Sequence, residues 1–291
     1  MIYVMYNPLA GNSTCEESSK GVKEIFGDNE ISFVDLVSVD NIEKFIKGLN
    51  PDDQIVICGG DGTLNYLINH IDIVDLEQDV LYYPAGSGND FYHDIDEDRM
   101  NGAYRINHYL QCLPTVEVNG MKKLFLNGIG YGIDGYCCEE GDKEREKQPG
   151  KRVDYTKIAL RGVLYDFKPV NAKVTVDGVT KEYKNVWMAP AMNGRFYGGG
   201  MMCAPNQDRL NEKGLVSVIV VTSKSRFKIL AVFPSIFKGE HLKHKSVATE
   251  IMGSDITVEF DRPTALQIDG ETVRNVLTYS VHKDKGIIIQ K

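Results

Sequence analysis

The sequence predicts an α/β domain followed by an all-β domain, and three observations carry that expectation. Short apolar strands alternate with capped helical segments at the start of the chain, two of those strands run directly into glycine-rich turns, and past Pro114 the helical spacing gives way to closely spaced strands. A chain of 291 residues has room for two domains and buries a core without disulfides or metal. We place the boundary between 1–113, an α/β domain with a parallel sheet, and 114–291, a β-rich domain whose last strands are free to return to the first domain.

Ile2 to Tyr6 reads as a strand stopped by Asn7-Pro8, and Thr14-x-x-Glu17 is a capping box opening a helix to Phe26. Ile31 to Leu36 is the next strand, and Asp40-x-x-Glu43 caps a helix to Leu49. Ile55 to Cys58 is apolar throughout, as a strand buried on both faces requires. A helix from Leu64 to His70 and a strand from Val80 to Tyr83 continue the alternation. Beyond Pro114, strands are expected at Thr115 to Val118 and Lys123 to Asn127, with a hairpin from Ala172 to Tyr183 turning at Asp177-Gly178. More follow at Val186 to Ala191, Leu215 to Val221, Val247 to Ile251, Ile256 to Phe260, Ala265 to Ile268, Val276 to His282 and Ile287 to Gln290. Two helices interrupt them, Asp154 to Phe167 and Arg226 to Lys238, the second despite Pro234.

Hydrophobic residues make up 42% of the chain and charged residues 25%, ordinary values for a globular protein. No uncharged apolar run of 18 residues occurs and the first residues lack a basic leader, so a cytoplasmic location is expected. The six cysteines show no Cys-x-x-Cys spacing and read as reduced thiols. A net charge of −8 argues against nucleic acid as a partner. Thr222 to Lys245 is the exception, with six basic residues and one acid, a local +5 against −13 elsewhere. Its basic residues interleave with Phe227, Ile229, Leu230, Val232, Phe233, Ile236 and Phe237, a pattern suited to a peripheral membrane surface.

Candidate chemistry sits in the glycine turns. Gly59-Gly60-Asp61-Gly62-Thr63 and Pro84-Ala85-Gly86-Ser87-Gly88-Asn89-Asp90 follow strands, and Asn7-Pro8-Leu9-Ala10-Gly11 shares their edge, where an open α/β sheet binds ligands. Glycine admits phosphate oxygens close to backbone N–H groups, and a helix N-terminus adds positive potential. Neither a P-loop nor a G-x-G-x-x-G fingerprint is present.

Those two turns, with Asn193-Gly-Arg-Phe-Tyr-Gly198-Gly199-Gly200, Ala204-Pro205 and Ile268-Asp269-Gly270-Glu271, resemble the ordered signature of the diacylglycerol kinase catalytic family over nearly the whole chain. The resemblance implies a nucleotide-binding α/β domain, a β-sandwich for the lipid and an active site between them. It implies ATP and Mg²⁺ as cofactors, a lipid such as diacylglycerol as acceptor, and an enzyme peripheral to the membrane. Residue by residue, Asn7, Gly11, Gly59, Gly60, Asp61, Gly62, Thr63, Gly86, Ser87, Asn89 and Asp90 would bind ATP. Glu271 would be the general base and Asp269 its catalytic neighbour. If the backbone at 269–271 is extended, the two carboxylates share one face and repel; if Gly270 turns the chain, they part.

Two departures matter. The family's first turn usually carries Ser where this chain has Ala10, and a structural Mg²⁺ ligand is replaced in the stretch holding Lys213, so no metal site is assigned. The Lys213 ammonium is a candidate to replace that ion. An NAD kinase-like enzyme shares Gly-Gly-Asp-Gly-Thr but continues with a different motif, and a non-catalytic nucleotide- or lipid-binding protein is the rival from another class. Oligomeric state is left open, a homodimer included. His241-Leu-Lys-His244 reads as a solvated basic turn and Cys137-Cys138 as an apolar pair.

Overall fold

The computed structural model describes residues 1–8, 15–27, 29–72, 76–86, 88–95, 99–100, 103–151 and 153–285. The chain divides into two units, Met1–Cys112 and Leu113–Lys291. Among the described residues no helix is long and apolar enough to cross a membrane.

In the first unit β1 (Ile2–Tyr6) lies between β2 (Ile31–Asp35) and β3 (Gln54–Gly59), and β4 (Asp79–Pro84) extends the sheet beyond β3, all four parallel. α1 (Cys15–Phe26), α2 (Ile42–Lys47) and α3 (Asp61–Ile68) connect them. Flanked on both sides, β3 buries Ile55, Val56, Ile57 and Cys58 completely. The cap of α2 is Asn41 rather than Asp40, because Asn41 is the extended residue whose side chain accepts from Lys44 N at 2.7 Å. The expected cap Thr14 lies outside the described residues. α4 (Asp90–Asp94) follows β4, and the antiparallel strands β5 (Arg99–Met100) and β6 (Ala103–Arg105) complete the edge before α5 (Asn107–Leu110). These short pieces carry too few residues to show a period.

The second unit opens with the hairpin β7 (Thr115–Val118) and β8 (Met121–Leu124), then β9 (Gly128–Tyr131). α6 (Ile133–Lys147) has no counterpart in the sequence reading. Its buried residues are Ile133, Gly135 and Gly141 rather than an apolar stripe, and Gly135 lies so close to β-structure that a Cβ would stand 1.9 Å from Ala265 O. A helix docked through glycine leaves no hydrophobic period to read. α7 (Tyr155–Arg161) begins at Asp154, whose side chain accepts from Lys157 N, and runs into a π-turn at Gly162–Asp166.

β10 (Val170–Val176) and β11 (Val179–Met188) form the expected hairpin, with φ of 47° at Asp177 and 81° at Gly178. Next come β12 (Ala191–Met192), the small pair β13 (Phe196–Tyr197) and β14 (Met201–Met202), and β15 (Val216–Thr222). Pro234 lacks the N–H an α-helix needs, so α8 (Arg226–Val232) gives way to a 3₁₀ turn at Phe233–Lys238. β16 (Ala248–Gly253) pairs with β15, and β17 (Asp255–Ile268) is one strand where two were expected. β18 (Glu271–His282) closes the order, and the expected strand Ile287 to Gln290 lies outside the described residues.

Apart from the separate pair β13 and β14, these strands form one sheet. β17 pairs with β10 and β18 in its first half, shifts register between Glu259 and Leu266, and pairs with β9 and β18 in its second. The order β10-β11-β15-β12-β9-β17 returns to β10 and closes the sheet around a core that includes Tyr131, Val174, Val218, Phe260 and Tyr279. A bulged strand that changes partners is how such a sheet turns a corner.

Candidate active site

In the first unit the parallel order places the ends of β1, β3 and β4 on one edge, so Asn7, Gly60 and Ala85 follow strands that finish side by side. Ala85 N donates to Gly59 O at 2.8 Å and ties the second turn to the first. The turns then touch backbone to backbone. A Cβ on Gly86 would stand 2.4 Å from Gly60 Cα, and one on Gly60 would stand 2.9 Å from Gly86 Cα. Glycine at both positions is therefore a packing requirement.

Asp61 and Asn89 brace this arrangement. The Asp61 carboxylate accepts from Phe91 N at 2.8 Å and Asp90 N at 3.0 Å, capping α4 from the other turn. Asn89, at φ 50°, accepts from Gly86 N at 3.0 Å and donates to Gly86 O at 2.8 Å. The Gly86 N–H is thus committed to Asn89. Asp90 is buried, and Phe91 anchors α4 between Tyr82 and Tyr109, with both ring centroids 5.7 Å from its own.

Gly62 is different. It sits exposed in the first turn of α3, its φ is not positive, and nothing among the described residues lies within 4 Å of where its Cβ would be. A helical glycine costs roughly 0.5–1 kcal/mol against alanine, and the described packing offers no reason for it. The N-cap of α3 is Gly60, which has no side chain to cap the helix start. Thr63 Oγ1 beside it is buried without a hydrogen-bond partner among the described residues. An uncapped helix start, a missing Cβ and an orphaned hydroxyl suit an approaching phosphate. Gly11 and Ser87 lie outside the described residues, as does Ala10.

In the second unit Gly270 turns the chain, and Asp269 and Glu271 part. Asp269, at φ 46°, accepts from Leu126 N at 2.5 Å, Asn127 N at 2.8 Å and Gly128 N at 3.0 Å. Three backbone donors make it the post to which the segment before β9 is tied. The expected catalytic residue Asp269 thus holds backbone amides with both its oxygens. Glu271 heads β18 in the open, its carboxylate 2.8 Å from Lys123 Nζ, with 59% and 36% of the two side chains exposed. Such a pair is worth about 0–1 kcal/mol and yields readily to a ligand.

Behind Asp269 lies a buried polar cluster that the sequence reading missed apart from Asn193. Leu126 O accepts from Asn193 Nδ2 at 2.9 Å and Arg209 Nη1 at 3.2 Å, and Arg209 Nη2 reaches Asn127 Oδ1 at 3.1 Å. Lys283, 2% exposed, donates to Asn193 Oδ1 at 2.8 Å and Arg209 O at 2.7 Å. The buried amine is therefore Lys283, whereas Lys213 is exposed, which corrects the expectation that Lys213 replaces an ion. The loop before β15 is closed by Asn211, which accepts from Leu215 N at 2.6 Å and donates to Leu215 O at 2.9 Å. Lys283 follows a strand and gives no pattern by which to find it.

A second group is the half-buried Asp134 in the first turn of α6. Burial pushes its carboxyl up to about 6, and the Tyr197 hydroxyl, donating at 2.6 Å, opposes part of that rise. Burial likewise pushes the Cys138 thiol up to about 12 and raises Cys137, so both are poor nucleophiles. His241 is buried against Cys203 O at 2.9 Å rather than solvated, and burial lowers its pKa.

With the geometry in place, comparison with known proteins bears on both units. Residues 1–111 match the model described as diacylglycerol kinase catalytic domain, and residues 127–281 the model described as YegS C-terminal NAD kinase beta sandwich-like domain. A diacylglycerol kinase of Mycobacterium tuberculosis is 25% identical over 262 residues, 85% of this chain and 82% of the relative. A crystal structure of a diacylglycerol kinase from Bacillus anthracis superposes with a TM-score of 0.63 at 18% identity, covering 98% of this chain and 94% of the other. That last likeness shows the fold.

Proposed function

The chain belongs to the lipid-kinase family that joins a diacylglycerol kinase catalytic domain to a YegS-type C-terminal domain, and we propose that it transfers the γ-phosphoryl group of ATP to a hydroxyl of a lipid such as diacylglycerol. The observation that carries the nucleotide half is Gly62, a helical glycine in the open beside an uncapped helix start and the unpartnered Thr63 hydroxyl. Phosphates seated there meet the positive end of α3 and its backbone N–H groups. Asp61 and Asn89 serve by holding the two turns together. Mg²⁺ arriving with the nucleotide would supply charge neutralisation.

Phosphoryl transfer otherwise asks for a carboxylate that takes the proton of the acceptor hydroxyl. Glu271 is that group, exposed and paired with Lys123 among the described residues. Asp269 and the cluster of Asn193, Arg209 and Lys283 position the turn that presents it.

Transfer of labelled phosphate from ATP to diacylglycerols, sphingoid bases and polyprenols in mixed micelles tests the reading. We expect one lipid class to be labelled, with ATP consumed only when it is present. ATP binding without labelling of any lipid would instead make the chain a non-catalytic binding protein.

A further inference from the structure

We propose that the outward faces of α7, its π-turn and α8 form a docking surface for an anionic lipid bilayer, an inference that rests on the lipid-kinase reading and names where the enzyme meets its substrate's membrane. The two segments are locked together. Arg226 Nη1 donates to Val163 O at 2.5 Å while its guanidinium lies 5.3 Å over the Trp187 ring. Inward, Ile158, Val163, Ile229 and Val232 are buried, so the platform is fixed by its own core. Outward, Phe227 is 78% exposed, Tyr165 73% and Leu160 45%.

The same two segments are rich in cations. Over 155–168 and 222–245 there are nine basic residues and two acids, a net +7 in a chain of net −8, leaving −15 for the rest. Both acids are already paired, Asp166 with Arg161 at 2.8 Å and Glu240 with Lys243 at 2.6 Å. Lys157, Lys168, Lys224, Lys228 and Lys245 remain exposed. Two copies meeting through this face would bring like charges together, which disfavours self-association. An anionic bilayer is complementary in both respects: its phosphates meet the lysines, and Phe227 and Tyr165 reach the acyl boundary where aromatic rings settle.

Arg226 is spent on the fold, so the test leaves it in place. The full chain is sedimented with vesicles of phosphatidylglycerol and phosphatidylcholine, and with phosphatidylcholine alone, across a salt series. Wild type should sediment with the anionic vesicles only. Lys224→Gln, Lys228→Gln and Lys245→Gln together should weaken binding about a hundredfold, and added salt should mimic them. Phe227→Ser should weaken it severalfold even at low salt. Equal sedimentation of wild type and variants overturns the proposal, as does a dimer that Phe227→Ser abolishes while vesicle binding is unchanged. Turnover of a short-chain, water-soluble diacylglycerol separates the two claims. Unchanged turnover without vesicle binding fails only the docking surface, and binding without turnover of any lipid fails only the kinase reading.

Discussion

The glycine turns of the first unit and the Asp269-Gly270-Glu271 turn of the second solve one problem with different materials. The first is built from backbone: Gly60 and Gly86 touch because neither has a side chain, and Asp61 and Asn89 secure the contact through N–H and C=O groups. The second is built from side chains, with Asp269 gripping three amides and Asn193, Arg209 and Lys283 supporting the same segment from behind. In each, most of the motif is scaffold and little is left to the solvent, Gly62 in one case and Gly270 with Glu271 in the other. A motif residue is thus assigned a role by where its atoms are already committed.

That division can be broken most sharply at the second turn. Glu271→Gln keeps the shape and removes the proton acceptor, so kcat should fall about 10²- to 10⁴-fold while the unfolding midpoint stays near wild type, since the Lys123 pair is exposed. Steady-state kinetics beside a urea titration checks both halves; a loss of stability equal to the loss of activity would return Glu271 to the scaffold. Asp269→Ala should do the opposite first, leaving three amides without their acceptor at a stability loss of about 3 kcal/mol in urea unfolding. A variant as stable as wild type yet inactive would restore Asp269 to a catalytic role.

A smaller effect concerns Asp134. Its folded-state value of about 6 lies above the ordinary 3.8, so the protonated form favours the fold and stability is lost as pH rises through about 6. Asp134→Asn is uncharged throughout. It should melt with wild type at pH near 3.8 and above it past pH 6, by about 1–2 kcal/mol for a partly screened group. Parallel melting curves at all pH values would show that the carboxyl titrates normally.

The alternation of strand and helix and the apolar run of β3 made the first unit legible, and Asp177-Gly178 made the hairpin of the second unit legible. What escaped was built on contacts without periodicity. α6 docks through Gly135 and Gly141, so its charged sequence has no apolar stripe to betray it. At the site, Gly62 and Glu271 stood out in their motifs, but that Asp61 and Asp269 are turned toward backbone amides is a fact of tertiary geometry. Lys283 and Arg209 come from segments far apart in sequence, and only the folded chain brings them to Leu126 and Asn127.

The kinase reading rests on a nucleotide seated against the start of α3, and Gly62→Ala measured beside Gly86→Ala tests it most directly, by ATP titration calorimetry and urea unfolding of both. Gly86→Ala, forced against Gly60, should lose about 1–3 kcal/mol of stability whatever its effect on ATP. Gly62→Ala should gain roughly 0.5–1 kcal/mol of stability, as alanine does in a helix, and lose ATP affinity by on the order of tenfold or more because the new methyl stands where the phosphates approach. A Gly62→Ala protein that is more stable and binds ATP as wild type does would contradict the account.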